Sequence, residues 1–408
     1  MRHPLFFCQF FKQLSPLLAF TFLAFTKGIE SMQKTILSLT IGLIFLLGVS
    51  ACQPKSDALS EAGEAKNTEQ VNKQASLEKP TTKTNTATDS ALDAKTCLEL
   101  SKSMGKVDNS SKIDAIYAIQ KQLTACLPTA SNAEVLNLLK DYQAMYERFL
   151  WQETDISNSE FDQDFFDVMN ALEEGEKVAE EKLKNLSPRL RYLIGLIQND
   201  ADVRVYNLGE GYYAFNHDLK AMADIFTPYL RQDQKAFIQR MAIENQDIFL
   251  SDAAITTSFE ELVERAVFWE DYITRYPNGY AVKDAKMLLD SYRYYLFFGS
   301  DNTGWTDDDI REFLEPEYKQ TMVALTKRPD SILAKDAKNY LNFMALSDSE
   351  RQQLYPAPST TEDGYDMHYR SMTYYRLNQA MQIPSIWHTD GDNRECLEGL
   401  FCQDISVD

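Results

Sequence analysis

Hydrophobic positions recur with a helical period along most of the chain beyond residue 94. The segment 133–151 shows this period clearly, because its apolar residues fall at i, i+3 and i+4 spacing on one helix face. These residues are Val135, Leu138, Leu139, Tyr142, Met145, Tyr146 and Phe149. The same spacing recurs at Phe161, Phe165, Val168, Met169 and Leu172. The pattern predicts an all-α fold, and one short stretch around Val203 to Tyr206 has the character of a strand.

Helix starts are marked by small polar residues whose side chains can accept from the first free N–H groups of a helix. Two of these residues are followed three positions later by Glu, which is the spacing of a capping box. They are Ser258 with Glu261, and Ser347 with Glu350. Three further starts are predicted at Asn132, at Ser187 before Pro188, and at Thr306 before Asp307, Asp308 and Asp309.

A short segment of the chain is duplicated. Residues 274–286 read TRYPNGYAVKDAK and residues 326–338 read TKRPDSILAKDAK, at a constant offset of 52 residues. The matching positions include Pro277, Lys283, Asp284, Ala285 and Lys286 in the first copy, and Pro329, Lys335, Asp336, Ala337 and Lys338 in the second. Each copy is predicted to end one helix, turn at the proline and begin a second helix. Asn278 or Asp330 is the predicted cap of that second helix, and the alanines allow close helix approach.

The stretch around Tyr276 and Pro277 resembles the tetratricopeptide-like repeats of periplasmic lipoproteins, including the helical component of the outer-membrane assembly machinery. The resemblance covers about residues 255–345, with a unit of 52 residues rather than about 34 and without all the usual Trp, Gly and Tyr positions. It implies stacked, solenoid-like helical hairpins with a concave binding face. Chance similarity between two helical hairpins is the alternative.

The N-terminal region has the pattern of an export signal. Residues 36–49 form an uncharged apolar run that follows Lys34 and precedes Ser50, Ala51 and Cys52. A bilayer core of about 30 Å needs a longer helix, so the run predicts a cleaved signal peptide rather than a membrane span.

The end of this signal, Val49-Ser50-Ala51-Cys52, resembles the lipobox of bacterial lipoproteins. The resemblance implies cleavage before Cys52, which then carries fatty acyl chains such as palmitate. Two or more chains give stable membrane anchoring. Gln53 stands where an Asp would retain a lipoprotein at the inner membrane, so sorting to the outer membrane is implied. A coincidental Cys after an ordinary signal peptide is the alternative.

A second apolar stretch precedes this signal, over residues 1–31. It is interrupted by Lys12, Gln13 and Pro16, whereas Met32 begins a well-formed signal. We predict that translation starts at Met32 and that 32–51 is the signal peptide; one unusually long signal peptide is the alternative.

Residues 52–93 are predicted to form a lipidated, disordered tether. The 41 residues after Cys52 contain no aromatic side chain and very few branched aliphatic ones, so they cannot bury enough apolar area to offset the entropy of ordering. A coil of this length reaches about 35 Å. The remaining residues, 94–408, are the predicted α-helical domain.

Composition narrows the function classes. Among 408 residues there are only 15 Gly and 13 Pro, which excludes collagen-like chains and disfavours a turn-rich all-β fold. The net charge is −20, and residues 94–408 alone carry −21. Such a domain is not expected to bind nucleic acid or anionic lipid head groups. Solubility explains the charge, and a cationic partner is the alternative.

Four cysteines fall in the predicted domain: Cys97, Cys126, Cys396 and Cys402. An even number in an exported protein predicts two disulfides, and three connectivities are open. The local pairing, Cys97–Cys126 with Cys396–Cys402, is the one we predict. The first bond would stabilise the fold by about 3–4 kcal/mol on the chain-entropy model. Neither pair has Cys-x-x-Cys spacing and His is scarce, so zinc is not predicted.

The sequence offers little chemistry. His217, His368 and His388 are not spaced for a shared metal, and nucleophile-elbow, phosphate-loop and dinucleotide-binding motifs are absent. The acidic stretches 301–309 and 388–393 lack the spacing of a calcium loop and are predicted to be turns. Aromatic residues are predicted to be mostly core: Trp269, Tyr292, Tyr294, Tyr295, Phe297, Phe298, Tyr365, Tyr369, Tyr374 and Tyr375.

These observations favour an outer-membrane lipoprotein with a periplasmic helical scaffold or protein-binding domain, whose partners are the membrane and a protein of the cell envelope. No catalytic residue, metal ligand or cofactor is predicted, and an enzyme is the less favoured class. The alternatives are a surface-displayed binding lipoprotein and a cell-envelope hydrolase that uses acidic residues.

Overall fold

Most of the described chain is α-helical, as the hydrophobic period predicts. The computed structural model describes residues 97, 99–151, 163–184, 186–209, 211–356, 371–386 and 394–404. Contacts divide the chain into units 1–81 and 82–408, and every described residue lies in the second unit. The predicted segments 1–31, 32–51 and 52–93, with Cys52, lie outside the described residues.

The first helices pack around the apolar face of one long helix. After a helical segment over 99–104 come α1 (Ile113–Cys126), α2 (Asn132–Leu150), α3 (Gln163–Glu173), α4 (Glu180–Leu183) and α5 (Pro188–Gln198). All seven apolar positions predicted for α2 are buried, which confirms the helical period there. α5 begins behind Ser187 with Pro188 in its first turn, as predicted.

The cap of α2 differs from the prediction by one residue. The N-cap is Ser131, which forms a capping box with Glu134, so the prediction of Asn132 as the cap is wrong. The Asn132 amide instead donates to the carbonyl oxygen of Tyr229 at 2.9 Å. The Ser131 hydroxyl and the Glu134 carboxylate together satisfy two free N–H groups, which one Asn side chain could not do.

A β-hairpin interrupts the helices. Strand β1 (Val203–Gly209) pairs antiparallel with β2 (Tyr212–His217), so the short stretch seen in the sequence is half of a hairpin. In β2 the alternate side chains of Tyr213, Phe215 and His217 are buried, and β2 packs on α2. The strictly all-α prediction is therefore wrong here, while the mostly helical class is confirmed.

The middle of the chain leads into two helical hairpins. It contains α6 (Leu219–Phe226), a 3₁₀ turn (Thr227–Tyr229), α7 (Gln232–Glu244) and a short hairpin of β3 (Leu250–Ser251) with β4 (Ala254–Ile255). The two helical hairpins are α8 (Phe259–Arg275) with α9 (Val282–Phe298), and α10 (Pro316–Leu325) with α11 (Ile332–Ala345). Helix α8 contacts α9, α10 and α11, so the duplicated segments form neighbouring hairpins.

The connection between these hairpins is not the helix predicted behind Thr306. Thr306 instead forms a β-bridge with Phe313, and α10 begins only at Pro316. The reason lies in Asp307, whose Oδ1 accepts from the backbone N–H groups of Arg311 at 2.6 Å and Glu312 at 2.7 Å. This carboxylate closes a turn where a helical carbonyl would otherwise accept.

The C-terminal segment contacts parts of the fold that are distant from it in the sequence. After α12 (Asp348–Leu354) and α13 (Met372–Met381), strands β5 (Arg394–Glu395) and β6 (Gln403–Asp404) pair around the Cys396–Cys402 disulfide. Inside this loop Gly399 N donates to the Asn245 side-chain oxygen at 3.0 Å, and Leu400 N donates to the Gln143 side-chain oxygen at 3.2 Å. The loop thereby connects α2 with the residue that follows α7.

Both predicted disulfides are formed. Cys97 and Cys126 have a Cα–Cα distance of 5.6 Å, and their bond joins the N-terminal edge of the described chain to the last residue of α1. Cys396 and Cys402 are bonded across a separation of six residues. The local connectivity is therefore confirmed against the two alternatives.

His217 lies in the core between the β-hairpin and α2. Its side chain is 4% exposed and its ring lies over the Tyr146 ring, with a centroid separation of 3.6 Å. Neither ring nitrogen has a hydrogen-bond partner, and the Tyr146 hydroxyl has none either. Burial lowers the pKa of His217 to about 3, while the negative charge of Asp218 opposes that shift. The imidazole is therefore neutral in the folded protein near pH 7.

This burial predicts acid sensitivity. The unfolded chain binds a proton at His217 near pH 6.5 and the folded chain does not, so stability is full above that pH and is lost as pH falls toward 3. Between pH 7.5 and pH 5 we expect His217 to account for a loss of about 2 kcal/mol in the free energy of unfolding. Urea unfolding of the wild type and of His217→Phe, at both pH values, measures the difference. Equal pH dependence in the two proteins would contradict the prediction.

Candidate functional site

The duplicated Lys-Asp-Ala-Lys block occupies the same place in both helical hairpins. It lies in the first turns of the second helix, α9 in one copy and α11 in the other. The Asp and Ala residues are buried and the lysines are exposed in both copies. The buried residues are Asp284 and Ala285 in the first copy, and Asp336 and Ala337 in the second. Both alanines are completely buried, and their role in close helix contacts stays a prediction.

The buried Asp336 joins the two copies. Its carboxylate accepts from Arg293 Nε of α9 at 2.8 Å, and both side chains are nearly inaccessible to solvent. Arg293 also pairs with the half-exposed Asp290 at 2.6 Å. Burial raises the pKa of Asp336, while the hydrogen bond and charge of Arg293 oppose that shift. An uncompensated charge here would cost several kcal/mol, so the pair holds α9 against α11.

Asp284 has an equivalent partner from another part of the chain. Its carboxylate forms an ion pair with Arg394 of β5, and Arg394 also donates to the carbonyl oxygen of Cys402 at 3.2 Å. In both copies, therefore, the buried Asp meets an arginine from outside its own helical hairpin. The sequence motif marks these carboxylates, but nothing near them in the sequence identifies the arginines.

The two proline turns are exposed and are held by carboxylates of preceding helices. Pro277 and Pro329 are both exposed. In the first turn Tyr280 N donates to Asp233 Oδ2 of α7 at 2.8 Å, and α9 begins behind Ala281. The predicted cap Asn278 is therefore wrong, because a carboxylate from α7 fixes the turn from outside.

The second turn depends on Glu270 of α8. Its Oε1 accepts from Ile332 N at 2.6 Å, and its Oε2 accepts from the Ser331 hydroxyl at 2.7 Å. Ser331 is the N-cap of α11 and accepts from Ala334 N at 3.1 Å. The predicted cap Asp330 is therefore wrong as well. A carboxylate at the positive end of α11 stabilises that end electrostatically.

A shallow, open groove of about 640 Å³ lies along the outer face of α11. Its lining comprises Arg328, Asp330, Ser331, Ile332, Ala334, Lys335, Lys338, Asn339 and Asn342. Lys335 and Lys338 belong to the second copy of the duplicated block, and neither ammonium forms an ion pair with a described carboxylate. Arg328 is engaged by Asp271 at 2.6 Å and lies 3.5 Å from Glu270. The groove thus offers two lysines and two amides to a ligand.

A buried polar cluster around Glu244 was missed by the sequence reasoning. Glu244 is 3% exposed and accepts from Trp269 Nε1 at 3.1 Å and from the Tyr292 hydroxyl at 2.8 Å. Burial raises the pKa of Glu244, and the charges of Arg240 and Arg265 oppose that shift. Glu244 lies on the same helix face of α7 as Phe237 and Met241. An acidic residue on this otherwise apolar face was the sequence signal that could have indicated the cluster.

The remaining sequence predictions fall into three groups. Trp269, Tyr292, Tyr295, Phe297 and Phe298 are buried, so they are core as predicted. Tyr294, Tyr374 and Tyr375 are half-buried. His368, His388, Tyr365, Tyr369 and the stretch 388–393 lie outside the described residues. In the part of the chain that the structure describes, no group of three or more His, Cys, Asp or Glu is placed to hold a metal ion.

The comparisons with known proteins add no relative. No family model, no curated protein and no solved structure shows significant similarity to this chain. None of the helices within the described ranges combines the length and the apolar character needed to cross a membrane.

The pairing of Asp336 with Arg293 predicts a large mutational effect. Replacing Asp336 with Ala leaves the Arg293 guanidinium buried without this partner, so we expect the free energy of unfolding to fall by about 3 kcal/mol or more. The matched control is Asp290→Ala, which removes the half-exposed partner of the same arginine and should cost under about 1 kcal/mol. Urea unfolding of both variants and the wild type measures the losses. Comparable losses in the two variants would mean that the buried pair is not the stronger contact.

Proposed function

We propose that this protein is an outer-membrane lipoprotein whose helical domain serves in the periplasm as a scaffold or protein-binding module. The lipobox-like sequence before Cys52 supports a membrane anchor, because it implies that Cys52 carries acyl chains. Two formed disulfides support an exported chain, because such bonds persist in oxidising compartments such as the periplasm. The predicted tether would let the domain reach a partner about 35 Å from the membrane.

The observation that carries the binding function is the pair of duplicated hairpins with an open groove on the second. Asp233 holds the turn before α9 and Glu270 holds the turn before α11, so the start of each helix is fixed by a carboxylate from another element. A preformed surface of this kind loses little conformational entropy when it binds a partner. The finer part of the proposal is that further stacking of such hairpins produces a concave, tetratricopeptide-like face.

The buried carboxylates give no support to the hydrolase alternative. Glu244 accepts from Trp269 and Tyr292, and Asp336 accepts from Arg293. Both are enclosed in the core, where substrate cannot reach them. Surface display differs from the proposal only in orientation, and protease treatment of intact cells separates the two.

The binding function predicts a specific contact in living cells. A photo-crosslinking residue placed at Asn342, in the groove, should form an adduct with one protein of the cell envelope, identified by mass spectrometry. The same residue at Lys286, exposed on α9, is the control and should not form that adduct. The purified partner should then bind the purified protein. Identical adduct patterns from the two positions, or none from Asn342, would overturn the proposal.

The anchor makes a separate prediction. Cys52→Ser should abolish the incorporation of labelled palmitate into the protein, because the residue that accepts the acyl chains is gone. Ser56→Ala, in the predicted tether, is the matched control and should incorporate the label like the wild type. Labelling of growing cells followed by immunoprecipitation measures both variants. If Cys52→Ser incorporates as much label as the wild type, lipidation at this position is excluded.

A further inference from the structure

The groove on α11 is positively charged, although the protein as a whole is negatively charged. The chain has a net charge of −20, whereas the charged groups that line the groove are Arg328, Lys335, Lys338 and a single acid, Asp330. The overall charge would attract cationic partners, but the local charge favours anionic ones. The net charge of the domain therefore disfavours an acidic ligand, whereas the charges that line this groove favour it.

The charge available to a ligand comes from the two lysines of the duplicated block. Arg328 already faces Asp271 and Glu270, so much of its charge is compensated. Lys335 and Lys338 are exposed on the same face of α11, three residues apart, and have no ion-pair partner among the described carboxylates. Residues three apart on a helix are surface neighbours, so the two ammonium groups form one cationic patch.

The rest of the groove suits a peptide main chain. One turn beyond the lysines lie the side-chain amides of Asn339 and Asn342, each of which can both donate and accept. At the other end Ile332 is 40% exposed and offers an apolar contact. From Ile332 to Asn342 the helix rises about 15 Å, which an extended peptide of about five residues spans.

We propose that this groove binds an extended acidic peptide segment of the protein partner. Carboxylates on alternate residues, which share one side of an extended strand, pair with Lys335 and Lys338, and the Asn339 and Asn342 amides bond the peptide main chain. This inference rests on the proposed binding function and specifies the chemistry of its ligand.

The test uses a labelled seven-residue peptide with Glu at alternate positions, and a second peptide with Gln at those positions. Fluorescence polarisation with the purified protein should show at least tenfold tighter binding of the Glu peptide, and this binding should weaken as salt is raised. The double variant Lys335→Glu, Lys338→Glu should lose at least tenfold in affinity. Asn339→Ala with Asn342→Ala should lose a few-fold.

The duplicated block supplies a matched control. Lys283→Glu with Lys286→Glu makes the same substitutions at the corresponding exposed positions of α9, and it changes the net charge by the same amount. This control should keep the affinity of the wild type within about twofold, and a cooperative thermal transition in each double variant should show that both fold. Equal losses in the two double variants would mean that only the overall charge matters, and would overturn the proposal.

Other outcomes separate this inference from the proposed function. Equal binding of the Glu and Gln peptides would overturn the acidic ligand class. Binding to vesicles that contain anionic lipids, without binding to the Glu peptide, would assign the groove to head groups instead. If the Asn342 adduct still forms in cells in either case, the proposed binding function stands and only its ligand chemistry is wrong.

Discussion

The burial of charged side chains between helices is the constraint on which the C-terminal half of this fold depends. Arg293 and Asp336 join α9 to α11, Glu270 joins α8 to the start of α11, and Glu244 joins α7 to α8 and α9. A buried charge tolerates only those arrangements in which its partners remain in place, so each contact excludes a different register of the helices. Apolar packing alone would allow the hairpins to slide past one another at a smaller cost. The polar contacts therefore fix the surface that α11 presents.

The helices and their starts could be read from the sequence because the information that specifies them is local. An apolar stripe, a Ser with Glu three residues later and a Pro in the first turn all act within one or two turns of helix. The helix caps at Ser258 and Ser347 and the local disulfides belong to this class. The second strand of the β-hairpin was missed because residues 212–215 form a short continuous aromatic and apolar run, without the alternation of apolar and polar side chains that marks a half-buried strand.

The site could be predicted only in part, for the opposite reason. The duplicated block marked the right residues, but an Asp between two lysines reads as a solvated helix face. Asp336 pairs with Arg293 and Asp284 pairs with Arg394, and both arginines lie far from their partners in the sequence. The caps proposed for the proline turns were wrong for the same reason, since Asp233 and Glu270 reach those turns from other helices. Spacing within a motif carries no information about such partners.

The two copies of the block show how one motif can serve two roles. In the first copy Asp284 is held by Arg394 of the disulfide-closed C-terminal hairpin, whereas in the second Asp336 is held by the neighbouring hairpin. Each buried Asp needs a cationic partner. The C-terminal hairpin supplies an arginine to Asp284, and the neighbouring helical hairpin supplies one to Asp336. In both copies the Asp of the block is buried in the core, and the lysines on either side of it are exposed. The Asp of each block is already paired with an arginine in the core. A ligand can therefore contact only the exposed lysines of the block and the residues next to them. On α11, the amides of Asn339 and Asn342 and the exposed side chain of Ile332 line the groove beside those lysines.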